Sequence, residues 1–267
     1  MMQGVMSGRF ANLEFDAGEQ GERQAAEQHT LGKTAHDFLA QAYAESRCGR
    51  YEPALRSYTR ALREDRAVIP AWVGQVQMLV QLGEYHEARV WSDKALELFR
   101  NNGELLAAKA QACVRLEDGK AALACSDASL AAAGSSALRW IVRGEVLLAA
   151  EEPHSEDCFQ KALSESAADW FDRVMIARVY MFYERFTNAM CYLKEAIERE
   201  PTQGYTWFEL GNCQRVLALE AAARTSYQRC LELRPDYREA DRVLLEMAAA
   251  TPFLSRLRGL FRRWSGR

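Results

Sequence analysis

Within residues 204–237 the apolar positions follow two helical stripes and then stop. Trp207, Leu210, Gly211 and Gln214 recur at i, i+3, i+4 and i+7, which sets a ring, a Leu and a small residue on one helical face. Gly211 leaves room there for a neighbour. After a break at 218–220, Ala223, Tyr227, Cys230 and Leu231 recur at i, i+4, i+7 and i+8, and Pro235 closes the run. The spacing predicts a helical hairpin.

The same pattern returns at a step of 34 residues. One step before Trp207 stands Arg173, followed by Ala177, Tyr180, Ala189, Leu193, Ala196 and Pro201, which match the positions from Gly211 to Pro235 in kind. Nearer the N-terminus, Phe38, Gly49, Tyr51, Ala54 and Ala61 are matched at the same step by Trp72, Gly83, Tyr85, Ala88 and Ala95. Ala110, Cys113, Ala122 and Leu130 carry the register on. A period of this length marks stacked helix pairs, each burying its apolar face only against the next.

These residues resemble the tetratricopeptide-repeat family. Its unit carries a large apolar residue, a small one, a Gly-aromatic turn, an Ala, an aromatic, a second Ala and often a Pro. The resemblance implies an all-α, right-handed solenoid of about six helical hairpins, starting near Ala35, Ile69, Gly103, Ser136, Trp170 and Gly204. Two units depart from the pattern. The third has Glu117 and Gly119 at the turn and Ser126 in place of the aromatic, so looser packing is expected there. The fourth fits Trp140 and Gly144 only if its turn around 151–154, which holds Pro153, is one residue short; a local irregularity is expected.

The domain reading is a polar N-terminal tail over 1–34, repeats over 35–236, a capping helix over 237–250 and a separate C-terminal helix over 251–267. A short helix over 19–28 could dock weakly on the first repeat. Tyr237, Ala240, Leu244 and Met247 form the apolar face of the cap, which an open solenoid needs to cover its last hairpin. Thirteen helices are expected, two per unit plus the cap. Beyond Pro252 the chain changes character. Phe253, Leu254, Leu257, Leu260, Phe261 and Trp264 fall on one helical stripe, and Arg256, Arg258, Arg262, Arg263 and Arg267 avoid it. The whole chain carries −3, so with these five Arg and no acid in the tail the remainder carries −3 − 5 = −8.

Composition narrows the chemistry. With 49 % apolar and 27 % charged residues the chain can bury a core. No apolar run is long enough to span a bilayer and the N-terminus lacks the pattern of a secretory signal, so the reading is cytoplasmic. The seven Cys lack CxxC spacing, and Cys113, Cys213 and Cys230 sit at core positions as reduced thiols. His29, His36, His86 and His154 are scattered, and no HExxH, phosphate-binding Gly loop or nucleophile elbow is present. Glu195, Glu198 and Glu200 read as a solvated helix face. No enzyme activity, cofactor or metal is expected, and an acidic body with pI ≈ 5.9 argues against nucleic acid.

In the resembling family the first helix of each hairpin lines the concave side. That phase selects Leu39, Tyr43, Arg47, Val73, Gln77, Gln81, Gln111 and Arg115 in the first three units, with Glu145, Arg178, Phe182, Tyr205, Phe208, Asn212 and Arg215 farther on. Amides and Arg could bond a peptide backbone while rings take its apolar side chains. Some family members grip a terminal carboxylate with Lys and Asn on consecutive first helices; Leu39 and Tyr43 stand at those places here, which disfavours such a clamp. The expected function is a scaffold or adaptor binding a protein or peptide segment. The alternative is a peripheral membrane regulator, with Phe253, Leu257, Leu260, Phe261 and Trp264 in the acyl boundary and Arg256, Arg258, Arg262 and Arg263 at the headgroups; the same helix could instead dock on a partner or fold back on the last repeat and extend the cap.

Overall fold

A computed structural model describes residues 33–165 and 169–249. The expectations for the N-terminal tail and for the C-terminal helix over 251–267 thus fall almost wholly outside the described residues, the tail helix entirely so. Among the described residues every regular element is a helix. In chain order they are α1 (Ala35–Arg47), α2 (Tyr51–Glu64), α3 (Ile69–Gln81), α4 (Tyr85–Leu98), α5 (Gly103–Arg115) and α6 (Gly119–Ala131). These are followed by α7 (Ala137–Ala149), α8 (Ser155–Glu165), α9 (Trp170–Phe182), α10 (Phe186–Arg199), α11 (Gly204–Val216), α12 (Glu220–Leu233) and α13 over 238–249.

The chain divides into two compact units, Met1–Ala167 and Ala168–Arg267. In the first, α1 packs on α2, α3 on α4, α5 on α6 and α7 on α8, and the first helices also meet one another as α1 with α3, α3 with α5 and α5 with α7. In the second, α9 packs on α10, α10 on α11 and α11 on α12. Several helix starts are set by short polar side chains that accept from a free first-turn N–H: Thr34 with Asp37 in a reciprocal capping box, Asn102, Asp118, Ser136 and Asp169.

Every hairpin turns on a residue in the left-handed region. These are Gly49 (φ 73°), Gly83 (84°), Glu117 (61°), Glu151 (57°), Glu184 (57°) and Ala218 (59°). The next N–H then returns to a carbonyl in the last turn of the first helix: Arg50 to Glu45, Glu84 to Leu79, Asp118 to Cys113, Glu152 to Leu147, Arg185 to Tyr180 and Leu219 to Gln214, all at 2.8–3.0 Å. This is the bond that satisfies a helix C-terminus when the chain reverses. Gly adopts the conformation freely, whereas Glu and Ala carry a Cβ penalty of about 1 kcal/mol.

The small residue on the first helix receives a ring from a second helix. A Cβ on Gly144 would stand 2.4 Å from the Phe159 ring, and one on Gly211 2.6 Å from Tyr227; Gly74 is closed in the same way by Tyr58, at 2.2 Å. The room that Gly211 leaves is therefore taken by Tyr227, which is fully buried.

Both irregular hairpins show. On α6 the buried residues are Ala122, Ser126 and Ser129, all small, and the Ser126 hydroxyl has no hydrogen-bond partner among the described residues. The apolar core of the first unit also splits in this region, one cluster running from Ala35 to Ala112 and another from Ala107 to Val146. In the fourth hairpin α7 ends at Ala149 and α8 begins only at Ser155, and the Gly144–Phe159 spacing is one residue shorter than Gly211–Tyr227.

Two core expectations change. Trp72 is 3 % exposed and lies 6.0 Å from the Trp91 ring, but Trp207, one helix position equivalent, is only half-buried, its Nε1 donating to the Pro201 carbonyl at 2.9 Å. In α13 the buried residues are Ala240, Val243 and Met247, with Leu244 half-buried, so the inner stripe is turned slightly from the predicted one. Tyr237, just before it, packs on Phe208 with ring centroids 4.9 Å apart.

Candidate functional site

The first-helix residues selected from the sequence are divided between the two units. In the first unit Tyr43 is exposed, while Leu39, Arg47, Gln77 and Gln81 are half-buried and Val73 is buried. Arg47 sits in the last turn of α1, where a cation complements the helix dipole. Gln111 and Arg115 are withdrawn from the surface by Glu145 on α7. The Glu145 side chain is fully buried; Gln111 Nε2 donates to its Oε2 at 2.8 Å and Arg115 Nε donates to its Oε1. Gln111 is 2 % exposed and the Arg115 side chain 7 %. A buried carboxylate costs several kcal/mol unless a cation and further hydrogen bonds compensate it. These three groups therefore act as a joint between consecutive first helices.

The second unit builds a related cluster around Glu209 on α11. Its Oε1 accepts from the Tyr205 hydroxyl at 2.6 Å and from Arg178 Nη1, and its Oε2 accepts from Asn212 Nδ2 at 3.1 Å. Arg178 also donates to the Tyr205 hydroxyl at 3.1 Å, and Tyr227 donates to Asn212 Oδ1 at 2.9 Å. Tyr205, expected to face a ligand, is 2 % exposed and belongs to this cluster. Burial pushes the Tyr227 phenol up to about 12, with the Arg215 charge acting the other way.

Around this cluster, other side chains selected from the sequence stay within reach of solvent. The Arg178 side chain is 23 % exposed, Phe182 one turn later on α9 is 41 % exposed, and Arg215 on α11 is exposed. Phe208 and Asn212, on α11 with Arg215, are half-buried, Phe208 held between the rings of Tyr227 and Tyr237 at 5.8 and 4.9 Å. Among the described residues no group of three or more His, Cys, Asp or Glu is arranged to hold a metal ion. The repeated hairpin, the left-handed turn residue and the small residue closed by a ring thus frame two carboxylate-centred clusters on first helices.

No family model matches the chain. Over 159 residues, 58 % of the chain, it is 30 % identical to Superkiller complex protein 3 of Mus musculus, and over 160 residues it is 29 % identical to the Homo sapiens protein of that name. It spans 10 % of the length of either. A solved tetratricopeptide repeat protein from Parabacteroides merdae ATCC 43184 aligns with 84 % of this chain and 89 % of its own, at 18 % identity and a TM-score of 0.50. The chain has the tetratricopeptide-repeat fold. Both carboxylates and their Arg partners stand on first helices of their hairpins.

Of the cluster members, Glu209 escaped the sequence reading. It stands four residues after Tyr205 and three before Asn212, so all three share a helical face. That spacing was visible; the arrival of Arg178 from another helix was not. The tail residues Phe253, Arg256, Leu257, Arg258, Leu260, Phe261, Arg262, Arg263 and Trp264 lie outside the described residues.

Proposed function

We propose that the protein is a non-enzymatic adaptor of tetratricopeptide-repeat fold that binds a protein segment on the first helices of its second unit. The observation that carries this is the graded exposure there: Glu209 anchors Arg178 and Asn212 from below, and Phe182 and Arg215 remain exposed. A guanidinium held by a buried carboxylate is oriented before a ligand arrives, which lowers the ordering cost of binding. An exposed ring one turn from it suits an apolar side chain of an extended or helical segment. In the first unit Tyr43, Arg47 and Gln77 are proposed as a separate set of contacts on its own first helices, whereas Gln111 and Arg115 hold Glu145 and act as support.

The test compares the intact chain with the Phe182→Ala/Arg215→Ala double variant in affinity capture from its source cell, read by mass spectrometry. A partner kept by the parent and lost by the variant, at equal helicity and melting temperature, supports the reading; equal capture moves the site elsewhere. The alternative role at a membrane surface is supported by the tail sequence, five Arg opposite a stripe of Phe, Leu and Trp. No described helix is long and apolar enough to cross a membrane. Co-sedimentation with anionic but not neutral vesicles, lost in high salt and on removal of 251–267, is the expected result for that role. Absence of sedimentation with either would remove it.

A further inference from the structure

One first-helix position is buried in all six hairpins: Ala42, Val76, Ala110, Gly144, Ala177 and Gly211 follow one another at the 34-residue step, allowing for the short fourth hairpin. The next step reaches Leu245 on α13, and this side chain is 64 % exposed. Gly211 is covered by its own second helix through Tyr227, and Gln214 meets the same helix, its Oε1 accepting from Ser226 at 2.7 Å. One step after Gln214 stands Ala248, which is exposed as well. By contrast Ala240, Val243 and Met247 are buried, as are Thr206, Glu209 and Cys213 one step before them, and Glu209 is the residue that meets Arg178 on α9. So α13 is covered on the side turned to the preceding hairpin and bare where a second helix would lie.

We infer that the bare face of α13, at Leu245 and Ala248, is the docking site of this chain's own segment 252–267, which covers it as the second helix of a seventh hairpin. That segment lies outside the described residues, and its sequence carries the register. The buried residues of α12 are Ala223, Ser226, Tyr227 and Cys230. The 34-residue step takes them to Leu257, Leu260, Phe261 and Trp264, all on the apolar stripe. It also takes the exposed Ala222, Gln228 and Arg229 to Arg256, Arg262 and Arg263. In that register Leu245 meets Phe261 as Gly211 meets Tyr227, and Ala248 meets Leu260 as Gln214 meets Ser226. An amphipathic helix made only for a lipid surface needs a stripe, but it needs no register with α12.

The reversal after α13 differs from the other six. One step after the left-handed Ala218 stands Pro252, whose ring holds φ at about −65° and so excludes that turn. Thr251 and Pro252 instead have the residue types of a helix N-cap and first helical position. Residues 250 and 251 then form the connection, at the short end of the range of about two to five residues that joins antiparallel helices. An extended exposed face beside so short a connection favours cover from the same chain over cover from another, because the segment is held near the face at high effective concentration. The inference is independent of the adaptor role and competes with the membrane role for the same stripe.

The test uses the full chain, purified without lipid or partner. Leu245→Cys sets a thiol on the face in question, and its alkylation by N-ethylmaleimide is followed by mass spectrometry of the peptides, with exposed Cys191 as the internal reference. The introduced thiol is expected to react several-fold faster once Leu257→Asp and Phe261→Asp are added, while the Cys191 rate stays the same, and its protection in their absence is expected to persist on dilution. Ala248→Cys repeats the measurement at the second position, so that loss of the Leu245 side chain from the contact does not hide it. Equal rates with and without the two Asp substitutions at both positions overturn the inference. So does protection that fades on dilution, which assigns the face to a second copy, or protection that appears only with anionic vesicles, which assigns the stripe to lipid. None of these outcomes bears on partner capture through Phe182 and Arg215.

Discussion

Glu145 in the first unit and Glu209 in the second both sit on the first helix of a hairpin, are both withdrawn from water, and both draw an Arg from another first helix. What surrounds them differs. Glu145 is held by Gln111 and Arg115, each nearly as buried as itself, so the cluster is consumed in holding α5 to α7. Glu209 shares its oxygens among Tyr205, Asn212 and an Arg178 that keeps 23 % of its side chain exposed, with exposed Phe182 on the same helix. Comparable chemistry thus makes a structural joint in one unit and the base of a reachable surface in the other. The deciding quantity is how much of the cation remains in contact with solvent.

Removing the cations separates the two cases most sharply. Arg115→Met leaves the Glu145 carboxylate buried with Gln111 alone, and breaking a buried pair by removing one partner costs about 3–5 kcal/mol. Arg178→Met leaves Tyr205 and Asn212 on Glu209, next to a side chain that already meets water, so a loss of about 1–3 kcal/mol is expected. Urea titrations followed by circular dichroism measure both, and equal losses would break the comparison.

The ring contact at the small residue is common to the two units, so it should respond alike in both. Gly144→Ala drives a methyl into Phe159 and Gly211→Ala drives one into Tyr227, each from an ideal Cβ position 2.4–2.6 Å from the ring. Overpacking of this kind costs about 1–3 kcal/mol. Thermal melting of the two variants should show similar falls; a fall in only one unit would mean that its ring can move aside.

The smallest expected effect lies at the hairpin turns. Glu117→Gly in the first unit and Ala218→Gly in the second relieve a left-handed Cβ while adding backbone freedom to the unfolded chain, for a net gain of about 0.5–1 kcal/mol. Raised melting temperatures check it. An unchanged value at Ala218 would show that the unfolded-state term cancels the relief.

Much of the architecture could be read from the 34-residue period, because the period states which face of each helix must be covered. The small residue at Gly211, the ring at Tyr227 and the irregular turn near Pro153 all appear where the pattern places them. Trp207 shows the limit of such reading. It occupies the same helical position as the buried Trp72, yet it is half-exposed, because a position within the repeat specifies direction while burial depends on what the neighbouring residues supply.

The candidate site divides along the same line. The periodicity by itself determined that Gln111, Arg115, Arg178, Tyr205 and Asn212 stand on first helices, at the edge of the packed stripe. Only the tertiary structure decided that Gln111 and Tyr205 are buried while Phe182 and Arg215 remain at the surface. The reason is that a polar side chain at such an edge is drawn inward only when a group from another helix meets it. Glu145 and Glu209 are joined to their Arg partners across sequence separations of 30 and 31 residues, which a helical period cannot specify.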